Sequence, residues 1–151
     1  MARVYLKGLP QLKAKLIRLK EQTAERIKPA MERVAQELVD MMKRQVAVDH
    51  GDLRDSINWT WGDKPKYAQA ISTTKVAGLR LIIYAGNTKV RYAHLVEFGT
   101  APHPQGGSAP GTQHPGTAAQ PFFFTSYRAM KKQIKSAIAK AIRAAVKEAV
   151  R

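Results

Sequence analysis

The sequence predicts an α+β protein in which a small antiparallel sheet of three to four strands packs against long N-terminal and C-terminal helices. Apolar residues recur every three or four positions over residues 9–48, and the same spacing returns over 122–151. Between them, over 53–85, apolar and polar residues alternate as in half-buried strands. A short helix at 91–98 and a Pro/Gly-rich loop at 100–121 complete the predicted order.

The chain has 151 residues, a length typical of one domain, so we predict a single domain over 1–151. The first helix is placed within 1–48, and Pro10 suits its first turn, where a missing N–H has no cost. Pro29 removes one helical hydrogen bond and disfavours helical geometry at Lys28, so we expect a kink or a break there. We expect the half after Pro29 to pack on the core and the half before it to project towards neighbours.

Three strands are predicted after the turn DHGD at Asp49–Asp52. They cover Leu53–Trp61, Tyr67–Thr74 and Leu79–Ala85, and the third has the strongest apolar content. In the first, Ile57, Trp59 and Trp61 occupy one face, and Ser56, Asn58 and Thr60 the polar face. Beside lysines, the tryptophans are alternatively a stacking platform for nucleic acid, but large aromatics on an alternating strand favour the core.

Few chemistries fit the composition. The chain has no cysteine, and its four histidines lack the spacing of known metal sites, so loop histidines that face water are favoured. No Gly-x-Ser-x-Gly elbow, phosphate-binding loop or calcium loop is present. No apolar run approaches the length of a membrane span, and no secretory signal is visible. We therefore predict a protein that is not an enzyme, with no cofactor, no metal and no membrane contact.

Positive charge is concentrated at the two ends of the chain. There are 26 basic and 11 acidic residues, and residues 122–151 alone carry 8 basic residues against one acidic residue. Such an excess favours a polyanionic partner, either nucleic acid or acidic protein surfaces, over a merely solvated surface. The last helix offers few groups suited to base edges, so any nucleic-acid contact should be independent of sequence. The candidate polyanion contacts are Arg128, Lys131, Lys132, Lys135 and Arg143.

The central stretch RYAHLVEFGT, from Arg91 to Thr100, is predicted to form a short amphipathic helix that ends at Gly99. Its apolar groups at helical spacing are Tyr92, Leu95, Val96 and Phe98. Glu97 is the only acidic residue between Asp63 and Glu148, and a lone carboxylate in a basic protein often pairs with a lysine or arginine. The sequence leaves open whether such a pair would lie within the subunit or across an interface.

Four segments in order resemble the neck, or tail-completion, family of tailed bacteriophages, whose members are also described as minor tail components. They are GLPQL near the N-terminus, HGDLRDSI at 50–57, YAHLVEFGT at 92–100 and AAQPFFFTSY at 118–127. Together they extend over nearly the whole chain. The matching motif residues, expected to be mainly structural, are Gly51, Leu53, Ser56, Ile57, Tyr92, Ala93, Val96, Glu97, Phe98, Gly99, Thr100, Gln120, Pro121 and Phe122.

The resemblance implies a non-enzymatic structural virion protein that forms a ring, a hexamer or alternatively a dodecamer, and joins head to tail around the DNA channel. It implies contacts with head-completion, connector and tail-tube or tail-terminator proteins, non-specific contact with phage DNA, and host cytoplasm as the place of assembly. The family usually joins EFGT to QPF by a shorter segment, so the long loop is expected to reach a neighbouring ring. The candidate interface residues are His103, Gly106, Gly107, Pro110 and His114.

The alternative from another class is a sequence-independent nucleic-acid-binding protein that acts as a monomer or dimer. Loss of binding with salt, without a large oligomer, would favour it over a ring subunit.

Overall fold

The computed structural model describes residues 8–72, 78–106 and 111–149 and confirms the α+β class. Helix α1 lies against a three-stranded antiparallel sheet with β3 in its centre, α4 packs on α1, and a two-stranded hairpin follows the short α3. The elements are α1 (Leu9–Gln45), α2 (Asp52–Asp55), β1 (Asn58–Trp61), β2 (Gln69–Ser72), β3 (Leu81–Ala85), α3 (Ala93–Phe98), β4 (His103–Pro104), β5 (Gln113–His114) and α4 (Phe123–Ala149).

Helix α1 runs without a break through Pro29, so of the kink or break expected there the break is wrong, and the kink stays a prediction. Proline removes only one N–H from the ladder, and the buried residues on both sides of it hold the helix together, among them Ile27 and Met31. The helix has 37 residues and is therefore about 55 Å long. Its last turn contains Lys43 and Arg44, whose positive charges favour the negative end of the helix dipole.

The sheet has the order β1-β3-β2, with both outer strands antiparallel to β3. The strongly apolar strand predicted at 79–85 is present as β3: Leu81 and Ile83 join the core cluster from one face, and Ile82 on the other face is buried as well. The first strand is shorter than predicted, since Asp52–Asp55 forms the one-turn helix α2 and the strand starts only at Asn58. Residues 73 and 74, the predicted end of the second strand, lie outside the described residues.

Helix α4 lies antiparallel on α1 and closes the core. Three polar contacts define this direction: Arg26 forms an ion pair with Glu148, Gln133 donates to Glu37 at 3.1 Å, and the Ser126 hydroxyl lies 2.8 Å from the Gln45 side-chain oxygen. As α4 ends beside Arg26, the first turns of α1 extend past it. The core beneath the two helices is built from α1, β3 and the start of α4, and its largest fully buried side chains include Phe122, Phe123, Ile27, Leu38 and Met42.

Both tryptophans pack against α1 rather than forming a free stacking platform. The Trp59 indole N–H donates to Gln36 at 3.0 Å, and the Trp61 indole N–H donates to Glu32 at 3.0 Å. The rings are half-buried and meet edge to face with their centroids 6.5 Å apart. The structure therefore favours the core interpretation of these residues over nucleic-acid stacking.

The Pro/Gly-rich segment contains a hairpin, which its sequence did not predict. Strands β4 and β5 pair antiparallel, with His103 opposite His114, and Thr100 pairs with Thr117 at the base of the excursion. The loop predicted over 100–121 thus contains, in its described part, a short paired hairpin. Proline and glycine obscure the alternation that marks longer strands, and each strand has only two residues.

Candidate functional site

The two strongest motifs of the sequence meet at a buried carboxylate. Glu97, in α3, is only 3% exposed and accepts three hydrogen bonds from backbone N–H groups at the start of α4. The N–H groups of Phe122 and Phe123 lie 2.9 and 2.8 Å from Oε2, and that of Phe124 lies 3.0 Å from Oε1. We call this arrangement the clasp.

The clasp has a clear physical cause. The first N–H groups of a helix have no partner within the helix, and the helix dipole favours negative charge at that end. The first turn of α4 contains no acidic residue, so Glu97 supplies the missing acceptor from 26 positions before Phe123. The expected pair with a lysine or arginine is therefore wrong, because backbone donors occupy both carboxylate oxygens.

Backbone contacts surround the clasp and tie α3 to the segment before α4. The N–H of Gln120 donates to Val96 at 2.8 Å, and Thr100 and Thr117 exchange both hydrogen bonds at 2.9 and 3.0 Å. Gly99 ends α3 at φ 71°, where a Cβ atom would stand 2.5 Å from the Thr117 carbonyl oxygen. This position therefore requires glycine. Through these contacts, Glu97, Gly99 and the AQPF segment form one structural unit.

Helix α3 presents its large apolar side chains outward. Its buried residues are Ala93 and Glu97, whereas Tyr92, Leu95 and Phe98 are 42%, 41% and 65% exposed. The amphipathic pattern is therefore present, but the small alanine and the carboxylate face the core. Exposed apolar groups in a cluster are typical of a surface that contacts another protein.

A surface pocket of about 330 Å³, which we call the groove, lies beside α3 at the C-terminal end of α1. Residues from the α1–α2 turn line one side, and residues from α3 and the segment before α4 line the other: Val48, Asp49, Leu53, Tyr92, Val96 and Gln120.

The HGDLRDSI motif, at 50–57, lies beside the groove and supports it. Gly51 precedes α2 at φ 90°, and Leu53 and Ile57 are buried. Ser56 is buried as well, so its placement on a polar strand face is wrong: its hydroxyl donates to the Leu53 carbonyl at 2.7 Å and accepts from the Gly86 N–H at 3.0 Å. Because Ser56 joins α2 to the end of β3, the motif is structural.

The hairpin brings two of the candidate interface residues together. The rings of His103 and His114 stack with centroids 4.9 Å apart, so they do not merely face water. His114 Nδ1 accepts from the Gly116 N–H at 3.0 Å, and His103 Nδ1 lies 2.9 Å from the Ala101 carbonyl. Gly106 is exposed, whereas Gly107 and Pro110 lie outside the described residues.

The candidate polyanion contacts lie on the outward face of α4. Arg128, Lys131, Lys132, Lys135 and Arg143 are all exposed, opposite the side that packs on α1. Lys140 and Lys147 are also exposed, and by helical geometry they extend the same face. The one acidic residue of α4, Glu148, is paired with Arg26.

Within residues 8–72, 78–106 and 111–149, no group of three or more His, Cys, Asp or Glu side chains is placed to hold a metal ion. None of the helices in those ranges is long and apolar enough to span a membrane. In the clasp, three backbone N–H groups contact the buried Glu97 carboxylate.

The fold is thus α+β, with a buried carboxylate at the start of α4 and exposed apolar side chains beside it. The chain belongs to the HK97-gp10-like family, described as "Bacteriophage HK97-gp10, putative tail-component", whose model matches residues 11–99. This range covers nearly all of α1, the sheet and α3 as far as Gly99, and it confirms the family that the sequence resembles, although it ends before the AAQPFFFTSY segment. No curated protein and no solved structure gives a significant match. The protein is accordingly a bacteriophage tail component, and the family indicates a structural role in the virion.

Proposed function

We propose that this protein is a non-enzymatic ring subunit of the head–tail junction, where it joins the filled head to the tail around the DNA channel. The observation that carries the proposal is the outward apolar face of α3 in a chain of a phage tail-component family. Burial of Leu95 and Phe98 against another protein would remove apolar surface from water, which is the main driving force of association.

The ring is proposed to be a hexamer, with a dodecamer as the alternative. Its neighbours would be head-completion and connector proteins on one side and tail-tube or tail-terminator proteins on the other. Assembly would take place in the host cytoplasm, before the protein becomes part of the virion.

Imaging of particles and of the concentrated protein by electron microscopy tests this function. We expect rings of uniform size, and labelled protein at the neck of complete particles. Heads and tails that join normally in a phage lacking this gene, or a protein absent from virions, would overturn the proposal.

The hairpin is part of the same proposal, as a contact to a neighbouring ring. Replacing residues 105–112 by an Asn-Gly turn between Pro104 and Gln113 should keep the hairpin closed while removing its tip. We expect the free energy of unfolding to change by less than about 1 kcal/mol, because the exchanged residues with described side chains are exposed. Joined particles should become at least tenfold fewer in a complementation assay, and normal joining would show that the tip is not a contact.

The second candidate function, sequence-independent nucleic-acid binding, is favoured by the basic outward face of α4. Replacing Lys131, Lys132 and Lys135 by alanine should lower the slope of log K against log salt by about 2–3 on duplex DNA. The matched control replaces Lys20, Lys66 and Lys89, which are also exposed but lie outside α4. Tight, salt-dependent binding by a monomer that never forms rings would favour this function over the first. Equal slopes for the two variants would exclude α4 as the DNA contact.

A further inference from the structure

The N-terminal end of α1 carries an apolar stripe that nothing in the core requires. We call residues 9–19 the arm. Leu9, Leu12 and Leu16 are 54%, 54% and 56% exposed. By helical geometry they continue the stripe that, further along α1, buries Ile27 and Val34 in the core. The same stripe is therefore core in one half of the helix and solvent-exposed in the other.

The groove offers apolar surface of matching character at the opposite end of the helix. Val48 is 55% exposed, and the groove is also lined by the exposed Tyr92, just before α3, and by the half-buried Val96 within it. A volume of about 330 Å³ is enough for two or three leucine-sized side chains from one helix face.

Charges on the two surfaces are complementary. Lys13 and Lys15 flank the leucine stripe on either side, Arg18 follows, and the arm has no acidic residue. The turn and short helix beside the groove contain Asp49, Asp52 and Asp55, whose side chains are exposed, with Arg54 paired to Asp55. Opposite charges around an apolar centre favour encounter and fix the register of two proteins.

The arm cannot reach the groove of its own chain. Because α1 is continuous, the two surfaces lie at opposite ends of a helix about 55 Å long. Any contact between them must be made with a second copy, and it joins unlike surfaces. Contacts of this kind propagate from subunit to subunit and close into a ring when the rotation per subunit allows it.

We propose that the arm of each subunit packs into the groove of the next, and that this head-to-tail contact builds the ring. The inference rests on the proposed function and specifies the surfaces that carry it. One such contact is small, so it belongs to the weak class of interfaces, and closure of the ring, which uses two contacts per subunit, supplies the stability.

The absence of cysteine makes the contact directly measurable by cross-linking. A Lys13→Cys variant is mixed with a His50→Cys variant, and a short bis-maleimide is added. We expect a cross-linked dimer in the mixture and at least tenfold less in either variant alone. The chain with both substitutions should give a ladder of multimers that ends at the number of subunits in the ring.

The specificity control compares two substitutions on the leucine stripe of α1 with two outside it. Leu12→Asp/Leu16→Asp should abolish the ladder and the rings, whereas Gln11→Asp/Gln22→Asp, which adds the same charge outside the leucine stripe, should leave at least half of both. All four residues are exposed, so the thermal midpoints should stay close to that of the parent chain.

The outcomes separate this inference from the proposed function. Rings that form without the arm–groove cross-link, or that survive Leu12→Asp/Leu16→Asp, would overturn the arm contact and leave the ring intact. A parent protein that forms no ring and is absent from virions would overturn the proposed function itself.

Discussion

Replacement of Glu97 by alanine is expected to lower the free energy of unfolding by about 3–5 kcal/mol, because it leaves three backbone N–H groups at the start of α4 without their acceptor. Two of them belong to Phe122 and Phe123, which are 1% and 0% exposed, so water has little access. The loss also removes a negative charge from the positive end of the helix dipole. Urea denaturation followed by circular dichroism measures the effect.

Two further variants make the Glu97 experiment specific. Glu97→Gln keeps one oxygen for the N–H groups but points an amide donor at another, so it should lose about half as much stability. Asp63→Ala removes an exposed acidic residue that lies 3.5 Å from Arg80, and it should change stability by less than about 0.5 kcal/mol. Equal stability of Glu97→Ala and Asp63→Ala would show that the clasp does not hold α4.

Gly99→Ala is expected to destabilise the protein by about 3–5 kcal/mol through two separate effects. The residue has φ 71° and ψ −178°, a conformation that is almost confined to glycine. Its Cβ atom would also stand 2.5 Å from the Thr117 carbonyl oxygen and 2.8 Å from the Ala119 nitrogen. The chain must therefore shift where Thr100 pairs with Thr117, next to the clasp. Thermal and urea unfolding both report the loss.

Gly62→Ala separates the two effects. Gly62 also has a positive φ, 85°, but a Cβ atom there meets nothing within 4 Å. We expect a loss of about 1–2 kcal/mol, from backbone strain alone. If both alanine variants lose the same stability, the close approach of Gly99 to Thr117 does not contribute.

Periodicity was sufficient to predict the long helices and the central strand. In the part of α1 after Thr23, the residues that repeat at helical spacing are those that the core buries, such as Leu38, and the apolar content of β3 marks a strand buried at Leu81, Ile82 and Ile83 alike. The short α2 was missed, since DLRD is too short to show a helical period and follows a turn. Continuity through Pro29 was equally invisible, because tertiary packing on both sides outweighs the local cost of proline.

The clasp could be predicted only in part. Sequence singled out Glu97 as a lone acidic residue and associated EFGT with QPF through a family resemblance, but it suggested a charged side chain as the partner. The partners are backbone N–H groups, which every residue except proline carries and which leave no trace in composition. One signal was available: α4 begins at PFFF without a serine, threonine, aspartate or asparagine to cap it. A helix that lacks a local cap needs an acceptor from elsewhere.

The Thr100–Thr117 pair joins the two ends of the hairpin segment, which lies between the EFGT and AQPF motifs. The contacts that anchor α4 join residues up to Thr100 with residues from Thr117 onward, so none of them involves the hairpin between. Insertions or deletions between Thr100 and Thr117 should therefore leave the anchor of α4 intact, so the length of this segment is independent of the stability of the scaffold.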